Sequence, residues 1–150
     1  MKYKVNDDTL ALIPNGFNSS QVIENKRNYV LDETTFKVIE DSCEYFGVDY
    51  KSRVKSSNYF ANTKYKSPII IQETSRLIFF PITSPTRNNT TWISFNNIYD
   101  YYPYRNKKKT MVEFKNGFKM QFDISFYSFN QQYLKAAKIN SKLMDRNFKK

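Results

Sequence analysis

The side chains here that could do chemistry are cations and carboxamides. Residues 50–66 mix bases with aromatics: Tyr50, Lys51, Arg53, Lys55, Tyr59, Phe60, Lys64, Tyr65 and Lys66. A polar stretch from Thr83 to Thr91 contains Arg87, Asn88 and Asn89, and Lys135, Lys138 and Lys142 follow near the C-terminus. Ammonium and guanidinium groups neutralise phosphate and amides hydrogen-bond it, so this set suits a polyanion. The net charge is +10, and its distribution sharpens the point. Residues 1–49 hold 5 basic and 9 acidic side chains, a balance of −4, whereas residues 50–150 hold 19 and 5, a balance of +14. DNA, RNA and an anionic membrane face all fit such a field. An AT-rich coding sequence also enriches Lys, Asn, Ile, Tyr and Phe, but it does not explain why the excess avoids the first third.

Other chemistries are missing. The chain has no histidine, so His-dependent triads and His metal ligands are out. Three glycines stand too far apart for a phosphate-binding loop. The single cysteine, Cys43, permits neither an internal disulfide nor a Cys-rich metal site. Asp7-Asp8, Asp32-Glu33 and Glu40-Asp41 are sequential pairs that suit capping and solvation. The reading is therefore not an enzyme, with no cofactor and no metal; the catalytic alternative left is a carboxylate site built in three dimensions. No apolar stretch approaches the roughly 20 residues that span a bilayer, and no apolar segment follows Met1-Lys2-Tyr3-Lys4. A cytoplasmic protein is expected.

The elements that must position these groups are legible in outline. One domain over residues 1–150 is expected, with 12 Tyr and 13 Phe to fill its core. Residues 3–5, 9–13 and 27–31 read as strands. Asp32 or Thr34 caps a helix over about 34–47, with Phe36, Ile39, Cys43 and Phe46 at helical spacing and Gly47 at its end. Cys43 lies on that stripe, as a buried structural thiol. A second helix fits about 50–60. Strands follow at 69–71, 77–82 and 92–102, and Lys107-Lys108-Lys109 reads as a solvated basic turn.

Around Asn116-Gly117 the alternation of Val112, Phe114, Phe118, Met120 and Phe122 predicts a hairpin. A two-residue turn would set Phe114 opposite Lys119. A three-residue loop, Lys115-Asn116-Gly117, pairs Phe114 with Phe118 and keeps the apolar faces together, with Gly117 left-handed. The last helix is expected over about 128–146, opened by a Ser128–Gln131 capping box. Phe129, Tyr133, Ala136, Ala137, Leu143 and Met144 form its apolar side. Lys135, Lys138, Lys142, Arg146 and Lys149 fall in an arc of about 80° almost opposite, at about 100° per residue.

The ordered set Asp41-Ser42-Cys43, Phe46-Gly47, Tyr50, Arg53, Lys66, Pro68-Ile69, Phe80-Pro81, Ser84, Thr86-Arg87 and Trp92-Ile93-Ser94 resembles the bacterial competence transcription factor (ComK) family. The resemblance continues through Val112, Phe114, Asn116-Gly117, Ile124-Ser125, Ser128-Phe129 and Gln132, and spans about residues 35 to 138. It implies a transcriptional activator of DNA-uptake genes that reads paired A/T-rich boxes largely through the minor groove, as a homodimer on double-stranded DNA. It also implies control through a proteolytic adaptor. Family members carry a longer C-terminal tail for that contact, and this sequence stops at Lys150; either the tail was removed or this member lacks it, which leaves the adaptor as an open partner.

A narrow A/T-rich groove concentrates negative potential and attracts arginine and lysine, aided by amides. Arg87 is the expected groove-inserting residue, with Asn88 and Asn89 beside it. Arg53, Lys55, Lys64 and Lys66 are expected to contact groove or phosphate, and Lys135, Lys138 and Lys142 complete the DNA-binding set. Arg53 has a second reading, an ion pair with the acidic N-terminal layer. Trp92, Phe114 and Phe129 read as core. The fold expected is α+β: an antiparallel sheet, or a small barrel of the pleckstrin-homology kind, with helices in the N-terminal half and a long C-terminal helix.

Overall fold

A computed structural model of the chain describes residues 2–85 and 89–148. Thr86, Arg87 and Asn88 lie outside the described residues, so the expectations for Arg87 and Asn88 have no structural counterpart. The architecture is α+β. A six-stranded antiparallel sheet, ordered β3-β2-β1-β6-β5-β4, forms the middle layer. Its strands are β1 (Thr9–Pro14), β2 (Ser20–Glu24), β3 (Asn28–Leu31), β4 (Ile69–Gln72), β5 (Leu77–Pro81) and β6 (Trp92–Ser94). A second sheet, β7-β8-β9, is built from Ile98–Tyr104, Lys109–Phe114 and Lys119–Phe122. The sheets stay separate and open, so the small-barrel alternative does not hold.

Alternation along the central strands makes two cores. Leu12, Val22, Ile69, Ile71, Leu77, Phe79 and Trp92 face α1 (Thr35–Tyr45), which contributes Val38, Ile39 and Cys43. The intervening residues Ile70, Ile78, Phe80 and Ile93 face the three-stranded sheet and α3 (Phe126–Phe148). Successive side chains of a strand point to opposite faces, so a strand buried on both sides reads as an unbroken apolar run, as Leu77–Phe80 does. Phe80 meets Phe129 of α3 edge to face, with centroids 5.5 Å apart. Burial pushes the Cys43 thiol up to about 12, which suits an inert packing residue.

Caps and turns set the boundaries. The Thr34 side chain accepts from Lys37 N, Asp49 accepts from Ser52 N at 2.8 Å, and α2 (Tyr50–Ala61) runs from that cap to Asn62, which is left-handed at φ 53°. The β8–β9 hairpin has the expected register. Val112 pairs with Met120, Phe114 N donates to Phe118 O at 2.8 Å, and Gly117 sits at φ 90°.

Four expectations need correction. Residues 3–5 form no strand; Val5 N donates instead to Ser42 Oγ of α1, at 3.1 Å. The 92–102 strand breaks at a short 3-10 turn, Phe95–Asn97, and its second half joins the other sheet. Side chains make that break: Asn96 Oδ1 accepts from Ile78 N, and Asn97 Nδ2 donates to Asp7 O and Thr9 O. The last helix starts at Phe126, where Ser125 Oγ accepts from Ser128 N at 3.2 Å, so Ser125 takes the capping role assigned to Ser128. Its buried side is Phe129, Gln132, Ala136, Ile139 and Leu143, whereas Met144 is 39% exposed. No helix among the described residues is long and apolar enough to cross a membrane.

Candidate nucleic-acid interface

The loop from Asn62 to Ser67 leaves α2 and returns to β4. Its ends are fixed from within. Thr63 Oγ1 donates to Ser67 Oγ at 3.0 Å, both buried, and Ser57 of α2 donates to Pro68 O. Lys66 is held at φ 50°, a conformation that costs an ordinary L-residue about 1 kcal/mol or more.

What holds it there is Gln132. This glutamine is 1% exposed, and its Nε2 donates to Lys66 O at 2.8 Å and to Pro81 O at 2.7 Å. Its Oε1 accepts from Lys135 Nζ at 3.1 Å, and Lys135 also reaches Tyr65 O at 3.4 Å. One buried amide thus ties the loop, β5 and a lysine of α3 together.

The result is a cluster of cations. Lys64 and Lys66 line a shallow cavity of about 560 Å³ with Tyr50, Val54, Tyr65, Ser67, Ser84 and Pro85. Burial, and then the charge of Lys66, hold the Lys135 ammonium below its ordinary value. No acidic side chain lies within salt-bridge distance of Lys64, Lys66 or Lys135 among the described residues. Among the described residues the charges of Lys66 and Lys135 are held without a counter-charge, and an external anion relieves their repulsion.

The other expected residues distribute differently. Lys142 lines a cleft of about 400 Å³ between α2 and α3 with Tyr59 and Phe60, and Lys55 is exposed one turn before Tyr59. Lys138 is exposed on the outer face of α3. Arg53 is 5% exposed. Its Nη1 stands 3.9 Å from Glu73 Oε2, while Arg146 pairs with the same carboxylate from α3. The ion-pair reading of Arg53 therefore describes its surroundings, with Glu73 as partner in place of an N-terminal acid, and its guanidinium presents almost no surface to a duplex. Asn89 is spent inside the fold as well. Its Oδ1 accepts from Thr35 N and Thr35 Oγ1, at 2.8 and 2.9 Å, and its Nδ2 donates to Gly16 O and Ser19 O. Those four bonds exhaust an amide.

Sequence reasoning missed Gln132 as an organiser. The signal was present: a glutamine between Phe129 and Ala136 on the apolar side of an amphipathic helix needs buried partners.

The family described as "ComK protein" matches residues 1–147. A competence transcription factor of Bacillus subtilis (strain 168) is 29% identical over 147 residues, covering 96% of this chain and 76% of that protein. No solved structure matches.

Proposed function

The chain belongs to the ComK protein family, and from that premise we propose that it is a competence transcription factor. In this reading it activates DNA-uptake genes in the cytoplasm by binding paired A/T-rich boxes largely through the minor groove, as a homodimer on the DNA. The observation that carries the reading is that Lys64 and Lys66 line one cavity next to Lys135, with no acidic side chain within salt-bridge distance of the three among the described residues. The Bacillus subtilis relative is named a competence transcription factor.

The physics of the groove fits this cluster. An A/T tract narrows the minor groove and deepens its negative potential, which draws in cations without a base-edge code. Lys64, Lys66 and Lys135 approach the groove or its phosphates, while Lys55, Lys138 and Lys142 meet phosphates along the α2–α3 side. Arg87 inserts into the groove in this reading, with Asn88 beside it, as the family resemblance implies.

Fluorescence anisotropy against a duplex with paired A/T boxes and a G/C-rich duplex, at two salt concentrations, tests this. The expected result is tighter binding to the A/T boxes that weakens with salt. Equal affinity for both duplexes would leave only a general polyanion surface. No binding to either would point to a protein-interaction role for the fold.

A further inference from the structure

The turn between β7 and β8, with the first residue of β8, carries Arg105-Asn106-Lys107-Lys108-Lys109, four cations in five residues. Arg105 to Lys108 are all exposed, and none of the four cations has an acidic partner within salt-bridge distance among the described residues. A solvated turn that only aids solubility would account for that much. Its backbone calls for more. Arg105, Asn106 and Lys107 lie at φ 52°, 55° and 68°, three consecutive left-handed residues. Glycine or asparagine takes that conformation at little cost, whereas a long side chain is disfavoured by about 1–2 kcal/mol. Turn chemistry alone therefore selects against arginine and lysine at two of the three positions.

The turn is also fixed in place. Lys108 N donates to Arg105 O at 3.1 Å, and Lys107 O accepts from Phe126 N, the first residue of α3, at 3.1 Å. The Arg105 guanidinium sits 5.4 Å from the Tyr104 ring centroid. A backbone held before contact lowers the ordering cost of binding.

Its position relative to the first cluster follows from α3. Phe126 and Asn130 meet the β7 hairpin, through Tyr101 in both cases, while Gln132 and Lys135 meet the 62–67 loop. At about 100° per residue these two pairs point to nearly opposite flanks of the helix. The basic turn and the basic loop thus stand on either side of the N-terminal half of α3. A helix with its side chains is about 10–12 Å across, too wide for both to reach one phosphate and narrow enough for both to reach one duplex.

We infer that the Arg105–Lys108 turn is a second phosphate-contacting arm, which grips the same duplex as the 62–67 loop from the other flank of α3. The inference rests on the duplex-binding reading above and adds a separate surface to it.

The test is the salt dependence of binding to the A/T-box duplex between about 50 and 200 mM. In Arg105→Asn/Lys107→Asn/Lys108→Gln, asparagine keeps the left-handed positions while three charges leave. The slope of log affinity against log salt should fall by about 2–3, with affinity reduced about tenfold or more at the low-salt end. Lys108→Glu, at a position with no positive φ, should act in the same direction even if the triple variant folds poorly. Lys107→Arg/Lys108→Arg should bind like the parent chain. If the parent chain binds and both charge-removing variants keep its slope and affinity, the arm is refuted and the duplex-binding reading stands. If the parent chain binds no duplex, the functional reading falls and the arm with it.

Discussion

The α2–α3 junction and the 62–67 loop are neighbours, both basic, and they use their cations in opposite ways. At the junction Arg53 and Arg146 converge on one carboxylate, Glu73, and Arg146 also lies over the Phe60 ring at 5.3 Å. At the loop, Lys64, Lys66 and Lys135 have no carboxylate within salt-bridge distance among the described residues, and burial, then the charge of Lys66, holds the Lys135 ammonium down. A buried cation held against a carboxylate belongs to the fold, and removing that partner exposes the cation's desolvation cost. A cluster without one contributes little to stability and is available to a ligand. Stability and binding should therefore respond to different substitutions.

The largest effect is expected at Glu73. Glu73→Gln keeps the shape and removes the charge, leaving Arg53 almost fully buried without compensation. Loss of about 2–3 kcal/mol in a urea unfolding titration is expected, below the full cost of a wholly buried pair because the carboxylate is partly solvated, with duplex affinity of the folded protein within about twofold of the parent. An unchanged midpoint would mean that the junction does not hold the fold, and the contrast would collapse. Gln132→Leu comes next because it joins the two regions. It strips two carbonyls of their donor and Lys135 of its acceptor. A loss of about 2 kcal/mol is expected, together with a several-fold drop in duplex affinity as the loop loses its anchor. Stability lost with affinity intact would show that the loop positions its lysines without Gln132.

That division was only half legible in the sequence. The hairpin register could be read because period-two alternation and one Asn-Gly pair leave a single arrangement that joins the apolar faces. α1 and its cap could be read for the same local reason. β2 could not, since Ser-Gln-Val-Ile-Glu has two adjacent apolar residues on opposite faces and little alternation. The break within 92–102 was hidden because Asn96 and Asn97 act on backbone groups far away in the chain. The candidate site shows the same limit. Composition singled out a basic segment, but it could not separate Arg53, whose helical phase places it with buried Ser57 one turn on, from exposed Lys55. Asn89 gave no local signal, because its four partners lie on α1 and the β1–β2 turn.

A smaller and cleaner separation is expected at the loop itself. Lys64→Gln/Lys66→Asn removes two charges and places asparagine, which tolerates positive φ, at the left-handed position. Stability should stay within about 0.5 kcal/mol, while the salt slope of duplex binding falls by about 2. A change in unfolding midpoint with the slope intact would reverse the assignment of the two regions.

The subtlest effect is that of pH on Lys135. Burial first, and the charge of Lys66 second, hold its ammonium below the ordinary value of about 10.4. In the unfolded chain that depression is absent, so over this alkaline interval the unfolded state binds more protons. Stability should therefore rise with pH through the interval. Binding should move the other way. A phosphate against Lys135 favours the charged form, so the complex takes up a proton. Affinity is then full below the depressed value and falls as pH climbs through it. Unfolding and anisotropy titrations through the alkaline range just below the ordinary lysine value should thus show opposite trends, both flattened in Lys66→Asn and largely removed in Lys135→Gln. Parallel trends would mean that Lys135 answers to its protein neighbours alone, and the cation cluster would lose its α3 member.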